Sequence, residues 1–372
     1  MTRALVKTFL TAAAVFLILA AETSAHPAWG VAVDTQGQVY FSDLETIWKI
    51  DARGRLSVFR AGVSGRHTHE LNVDEAGNLY GEDLSYVPAT ERYIAALWKM
   101  TPAGAFSYVL APTDDAPKGV SIWRARDGST YSSLRRDTAP GVLLLIKRSP
   151  DGNTVTLLGD KDAAARARQI VPYGVGGMAF GADGTLYFAD GASVLKATPG
   201  GAVSPLARDI PAEGGAGGGD PAAASGTRIL GLAVDARGDV LAADHDGRRV
   251  IRITPRGEVS TLARTEQPWI PTGVAARGSD IFILEAKGPT LTARVRKLSP
   301  DGRLTLLATA GENVSPAAGP RPDTPDEGAP APSARRTPYA FIALGAGVVA
   351  FALLVWLASR ARAARRLGAN HD

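Results

Sequence analysis

The chain has 372 residues, of which 45% are hydrophobic and 21% charged, with 41 glycines, 24 prolines and no cysteine. This size and apolar share allow one large domain or two ordinary ones, and exclude collagen, a coiled coil and a wholly disordered chain. Without cysteine there is no disulfide, thiol nucleophile or thiolate metal centre.

The N-terminus, MTRALVKTFLTAAAVFLILAAETSAHP, places Arg3 and Lys7 before an apolar stretch from Phe9 to Ala21. Small residues follow, with Thr23 and Ala25 where a signal peptidase reads. This predicts a secretory signal over residues 1–25, cut after Ala25. The alternative, an uncleaved anchor, suffers from an apolar core that is short for a bilayer.

Residues 26–310 repeat one unit six times. The first copy is WGVAVDTQGQVYFSDLETIWKIDARGRLSVFRA. The fifth is ILGLAVDARGDVLAADHDGRRVIRITPRGEVSTLAR. Each copy reads strand, tight turn, strand, loop, strand, tight turn, strand. The first turn is DTQGQ, DEAGN, GADGT or DARGD. There Asp bonds its own downstream backbone and Gly supplies a positive φ. The second turn is of the TPRGE or SPDGR kind, where Pro presets φ and Gly closes the turn. Alternation such as Val250-Ile251-Arg252-Ile253 marks sheets with a buried face. A four-stranded unit of about 40 residues cannot cover its own faces; stacking such sheets radially does so. The predicted fold is all-β, a six-bladed propeller of four-stranded antiparallel blades, with one C-terminal transmembrane helix.

After the propeller, residues 311–338 are rich in Pro, Ala and Gly and read as a disordered linker. Tyr339 to Ala358 is an uncharged apolar run of 20 residues. At about 1.5 Å each it matches the hydrocarbon core of roughly 30 Å. Arg360, Arg362, Arg365 and Arg366 follow it, in a basic tail over 359–372. The heavier basic flank belongs in the cytoplasm. The expected address is therefore a bacterial inner membrane, crossed once, with the propeller in the periplasm. Removal of the helix as a sorting tail is the alternative.

Segment charges agree. The chain carries +4, but residues 26–310 hold 32 Lys+Arg against 31 Asp+Glu, so most of the excess lies at the two ends. The basic balance thus reports orientation rather than a polyanion partner, and no nucleic-acid partner is expected.

The phrases GVAVDTQGQVYFSD and GLAVDARGDVLAADHDGRRVIRI resemble the NHL-repeat and gluconolactonase-like (regucalcin-type) six-bladed propellers. The resemblance covers the whole middle of the chain. It implies the fold, and a working face formed by the start of each inner strand and the end of each second strand. It does not fix the activity, because such folds carry lactonases, esterases, lyases and binding modules.

On that face the entries to strand one bring His67, His69 and Glu70, Lys118, Tyr173, Arg228 and Thr272. The ends of strand two bring Asp43, Glu82, Asp83, Asp190, Asp244 and Glu285, with His245 and Asp246 following. Carboxylates and imidazoles at one mouth can hold a divalent cation, calcium or zinc, or form an acid/base pair. His69, Glu70, Glu82 and Asp83 are the expected metal set, and His67 and His69 the expected bases. Lys118, Tyr173, Arg228, Asp244, His245 and Glu285 are the expected ligand contacts. Asp43, Asp190 and Asp244 recur with the repeat, which favours a structural role for them. His67-Thr68-His69-Glu70 has no counterpart in other copies.

Gluconolactonase-like enzymes hold their metal with Glu, Asn, Asn and Asp. The corresponding positions here are Trp29, His69, about Gly119, Gly176, Leu230 and about Thr272, so that site is not carried over. Two insertions, residues 85–96 and 135–141, are expected as loops on the working face, where Tyr86, Arg92 and Tyr93 could stack on a ligand or, the favoured reading, cap an exposed blade edge. The expected function is a binding module for a small molecule or a protein. The alternative is a metal-dependent hydrolase or lyase acting on a lactone, sugar acid or ester.

Overall fold

The computed structural model describes residues 28–87, 92–113, 122–125, 127–135, 143–158, 175–211, 229–287 and 292–311. The expected signal peptide, transmembrane helix and basic tail lie outside them, as does nearly all of the linker. Among the described residues no helix is long and apolar enough to cross a membrane.

Six antiparallel sheets follow one another along the chain; five are hydrogen-bonded in sequence order, and in the second both β5 and β6 pair with β7. Blade 1 is β1 (Val31–Val33), β2 (Val39–Ser42), β3 (Ile47–Ile50) and β4 (Leu56–Arg60). Blade 2 is β5 (Arg66–His67), β6 (Leu71–Val73), β7 (Leu79–Val87), β8 (Arg92–Met100) and β9 (Phe106–Thr113). Blade 3 is β10 (Ile122–Arg124), β11 (Thr130–Arg135), β12 (Leu143–Arg148) and β13 (Thr154–Leu158). Blade 4 is β14 (Val175–Phe180), β15 (Leu186–Asp190), β16 (Ser193–Ala197) and β17 (Val203–Ala207). Blade 5 is β18 (Ile229–Val234), β19 (Val240–Asp244), β20 (Arg249–Ile253) and β21 (Val259–Arg264). Blade 6 is β22 (Trp269–Arg277), β23 (Asp280–Lys287), β24 (Thr292–Leu298) and β25 (Leu304–Ala310). This is the expected six-bladed β-propeller.

The turns form for the predicted reason. Asp34 Oδ1 accepts from the backbone N–H of Gln36 and Gln38, at 2.9 and 2.8 Å, while Gly37 takes φ 82°. Apolar clusters then join blade to blade. Phe41, Trp48 and Val31 of blade 1 pack with Phe282, Leu284 and Val295 of blade 6, which closes the ring. Ile229, Val240 and Ile251 of blade 5 pack with Ala189 and Val194 of blade 4. Such burial is worth roughly 1.5–3 kcal/mol per large side chain.

Inner strands approach one another where a glycine leaves room. A Cβ on Gly273 would lie 2.2 Å from the Trp29 carbonyl oxygen. One on Gly231 would lie 2.6 Å from the Gly273 Cα, and one on Gly30 3.0 Å from the His69 carbonyl.

Blade 2 departs from the expected pattern in two ways. The polar entry segment begins as a strand, since β5 pairs with the far end of β7 through Arg66↔Ser85 and His67↔Leu84. The described residues of the insertion over 85–96 continue the β7–β8 ladder, which runs to Tyr86↔Tyr93 and Val87↔Arg92. Tyr, Val and Ile favour strands, and pairing satisfies backbone groups that a loop would leave to water. The other insertion enters β11 at Arg135, and its remaining residues lie outside the described ones.

Gly273→Ala is expected to lower stability by about 1–3 kcal/mol through overpacking against a neighbouring backbone. Thermal denaturation will read this as a lower melting temperature.

Candidate functional site

Strand registers align the blades position by position. Val31↔Phe41, Leu71↔Gly81, Met178↔Phe188, Leu232↔Ala242 and Val274↔Ile283 are equivalent pairs. Two residues beyond the second member stand Asp43, Asp83, Asp190, Asp244 and Glu285, one acid per blade. In blade 3 that position is Leu134.

Asp43, Asp83, Asp244 and Glu285 serve the scaffold. Asp43 accepts from Trp48 Nε1 at 2.7 Å and from the backbone N–H of Glu45 and Thr46. Asp244 accepts from Arg249 Nε and the Gly247 N–H, both at 2.8 Å. Burial is the main cause that raises the pKa of both acids, Asp43 and Asp244. Glu285 takes Arg294 and Arg296 together. Asp83 receives both guanidinium nitrogens of Arg60 at 2.6 Å, Trp98 Nε1 at 3.0 Å and Thr68 Oγ1 at 3.2 Å. Arg60 belongs to β4, so this forked pair fastens blade 1 to blade 2.

Two acids fall outside that repeat, and both belong to blade 2. Glu82 holds the position of Ser42, Ala189, Ala243 and Leu284 in other blades. It meets His69 Nδ1 at 3.1 Å, with both side chains almost wholly buried. Glu70 holds the position of Gly30, Gly177, Gly231 and Gly273, and accepts from Trp29 Nε1 at 2.9 Å.

The His69 ring lies on Trp29, with centroids 5.0 Å apart and planes 24° apart. His67 stands edge-on to it at 5.8 Å. Its pKa is lowered, first by burial and then by the positive charge His69 can carry, with Glu45 opposing. The floor beside them is held by a left-handed Leu44, φ 104°, whose carbonyl accepts from the Thr68 N–H at 2.7 Å. Ser42 Oγ donates to the Thr68 carbonyl at 2.8 Å and accepts from the Leu44 N–H.

The structure therefore brings His67, His69, Glu70 and Glu82 into one cluster and commits Asp83 to Arg60. Among the described residues no group of three or more His, Asp or Glu has metal-holding geometry. Glu70 is joined to Trp29 and Asp83 to Arg60, which leaves the His69–Glu82 pair as the part of the expected set that faces itself. Of the expected ligand contacts, Asp244 and Glu285 are fully buried beneath arginines. His245 is partly exposed, with Nδ1 2.7 Å from Asp246 Oδ1. Lys118, Tyr173 and Arg228 lie outside the described residues. Trp29 was missed as a site residue. A signal for it lay in its partner, since Glu70 replaces a glycine kept in four other copies.

No family model matches the chain, and no curated protein matches it. Solved structures do. A chain of a nidogen/laminin complex aligns over 73% of this chain and 92% of its own, at 14% identity and TM-score 0.50. A gluconolactonase of Xanthomonas campestris aligns over 76% and 87%, at 16% identity and TM-score 0.48. A streptogramin B lyase aligns over 75% and 81%, at 16% identity and TM-score 0.47. The likeness to the nidogen/laminin chain is one of propeller fold. At such identities the likeness concerns the fold alone, and the propeller's chemistry has to be read from its own residues.

Two outcomes follow from this geometry. Arg60→Ala leaves Asp83 buried without its forked partner and is expected to cost about 3–5 kcal/mol. Chemical denaturation of the variant measures this. His67, with its lowered pKa, resists protonation when folded. Stability is then retained above the unfolded-state value of about 6.5 and lost as pH falls below it. Melting temperature should therefore drop between neutral pH and pH about 5, and His67→Gln should remove part of that slope.

Proposed function

We propose that this chain is a membrane-anchored, extracytoplasmic β-propeller that binds a small molecule or a protein segment at the mouth beside blades 1 and 2. The observation that carries the reading is the buried His69–Glu82 pair, stacked on Trp29 and without a counterpart among the blades whose equivalent positions are described. The scaffold has no need of it, because the repeated acid of that blade is already Asp83. A buried ionisable pair costs desolvation, so its presence at the end of the inner strand favours recognition over stability. The apolar run over 339–358, its arginine flank and the N-terminal signal support the address: an inner membrane crossed once, propeller in the periplasm, C-terminus in the cytoplasm.

One observation favours a second reading, a hydrolase or lyase acting on a lactone, sugar acid or ester. A carboxylate against one imidazole nitrogen, as Glu82 stands against His69, orients the ring, as general-base catalysis requires. A divalent cation, calcium or zinc, would have to use His69 and Glu82 and compete with the contacts that hold Glu70 and Asp83.

The full chain, purified in detergent and then denatured, should release a bound small molecule. Mass spectrometry should find that molecule absent from His69→Ala and Glu82→Gln. If the wild type releases nothing and instead turns over a lactone or ester, with turnover lost in His69→Gln, the enzyme reading replaces the binding one. Cell fractionation tests the address: the full chain should sediment with inner membranes, and a chain ending at residue 310 should appear in the periplasmic fraction.

A further inference from the structure

Thr68 stands between the two histidines of the mouth, and each of its polar groups is fixed. Its N–H donates to the Leu44 carbonyl at 2.7 Å, and its carbonyl accepts from Ser42 Oγ at 2.8 Å. Its Oγ1 donates to Asp83 Oδ1 at 3.2 Å. Ser42 Oγ also accepts from the Leu44 N–H at 3.0 Å, which closes a small network. Ser42, Leu44 and Thr68 are each 1% exposed. In an extended segment, side chains two apart share a face, so fixing the backbone at Thr68 aims His67 and His69 to one side. Their rings meet there edge-on, 5.8 Å apart, and His69 lies on Trp29.

Leu44 holds its part of this network under strain. Its φ of 104° lies in the region that favours glycine. The junction of blades 4 and 5 shows what the scaffold alone requires. By register Gly191 stands where Leu44 does, and Ile229 where Thr68 does. The Gly191 carbonyl accepts from the Ile229 N–H at 3.1 Å, with Gly191 at φ 56°. Ala189 takes the position of Ser42, so that bond is made by a glycine with no hydroxyl to support it. Between blades 1 and 2 the same backbone bond runs through a strained leucine, and two hydroxyls reinforce it. The reinforced junction is the one that carries the histidines. Strained residues persist where their surroundings over-determine them, and they gather where side chains have to be held for binding.

We propose that Ser42, Leu44 and Thr68 are positioning residues of the mouth. They hold the backbone between His67 and His69, so that both imidazoles stand in place before a ligand arrives. Ordering these groups in advance removes a cost that binding would otherwise carry. The proposal rests on the reading that the mouth binds a ligand.

The test uses the full chain in detergent with ring-labelled histidine, at a temperature where every variant is folded. The chain has five histidines, and His67→Gln and His69→Gln assign the two ring signals that matter. In the wild type the His69 signal is shifted by the face of Trp29. Thr68→Val keeps the shape and removes the hydroxyl. It is expected to move and broaden the His69 signal and to lower the co-purified molecule per chain about fivefold. Thr68→Ser should restore both. Ser42→Ala should act as Thr68→Val does, and serves if that variant does not fold. A His69 signal and an occupancy unchanged from the wild type in both variants overturn the proposal, as does a failure of Thr68→Ser to restore them. If the wild type releases no molecule, the ring signal decides alone. Its movement in Thr68→Val and recovery in Thr68→Ser then uphold the positioning role, while the binding reading falls.

Discussion

The close approach of inner strands near the axis is the constraint on which the rest of this molecule depends. Blades can converge only if their inner edges nearly touch, and the glycines at positions 30, 231 and 273 leave that space. Once the inner strands are fixed, the apolar faces of adjacent sheets meet at packing distance, and the clusters joining blades 4, 5, 6 and 1 follow. Every side chain discussed as functional is aimed by this arrangement, because the start of an inner strand and the end of its neighbour are brought to one rim.

Blade 2 breaks that constraint and gains its distinctive chemistry by doing so. Glu70 occupies a glycine position, and its carboxylate turns to Trp29 of the preceding blade. The added strand β5 and the long β7–β8 ladder lift polar residues above the common rim while keeping their backbone paired. The blade then contains two carboxylates in succession with different fates. Asp83 does what its equivalents Asp43 and Asp244 do, and Glu82 meets an imidazole that no described equivalent position carries.

Much of the fold was legible because each level of the sequence agreed with the others. The Asp-x-x-Gly turns, the short alternating strands and the sixfold repetition all point to one architecture. The extended β7–β8 ladder of blade 2 was not legible. Tyr86-Val87-Pro88-Ala89-Thr90 carries turn residues and interrupts the repeat, so it reads as a loop, while the pairing of Tyr86 and Val87 depends on the partner strand. The candidate site was half legible. His67, His69 and Glu70 stood out as departures from the repeat and Glu82 as an acid at the end of strand two, but the pairing of Asp83 with Arg60 joins positions 23 residues apart on different blades.

The ring closes without exchange of a strand. Blade 1 is cut wholly from residues 31–60 and blade 6 wholly from residues 269–310, so no backbone ladder crosses the seam between them. Side-chain packing holds that seam, with the Arg277 guanidinium reaching the Thr35 carbonyl across it. Local opening of such a ring begins where no ladder has to be broken. A ligand touching both blade 1 and blade 6 would act as a clasp, and its affinity would be thermodynamically linked to how rarely the ring springs open.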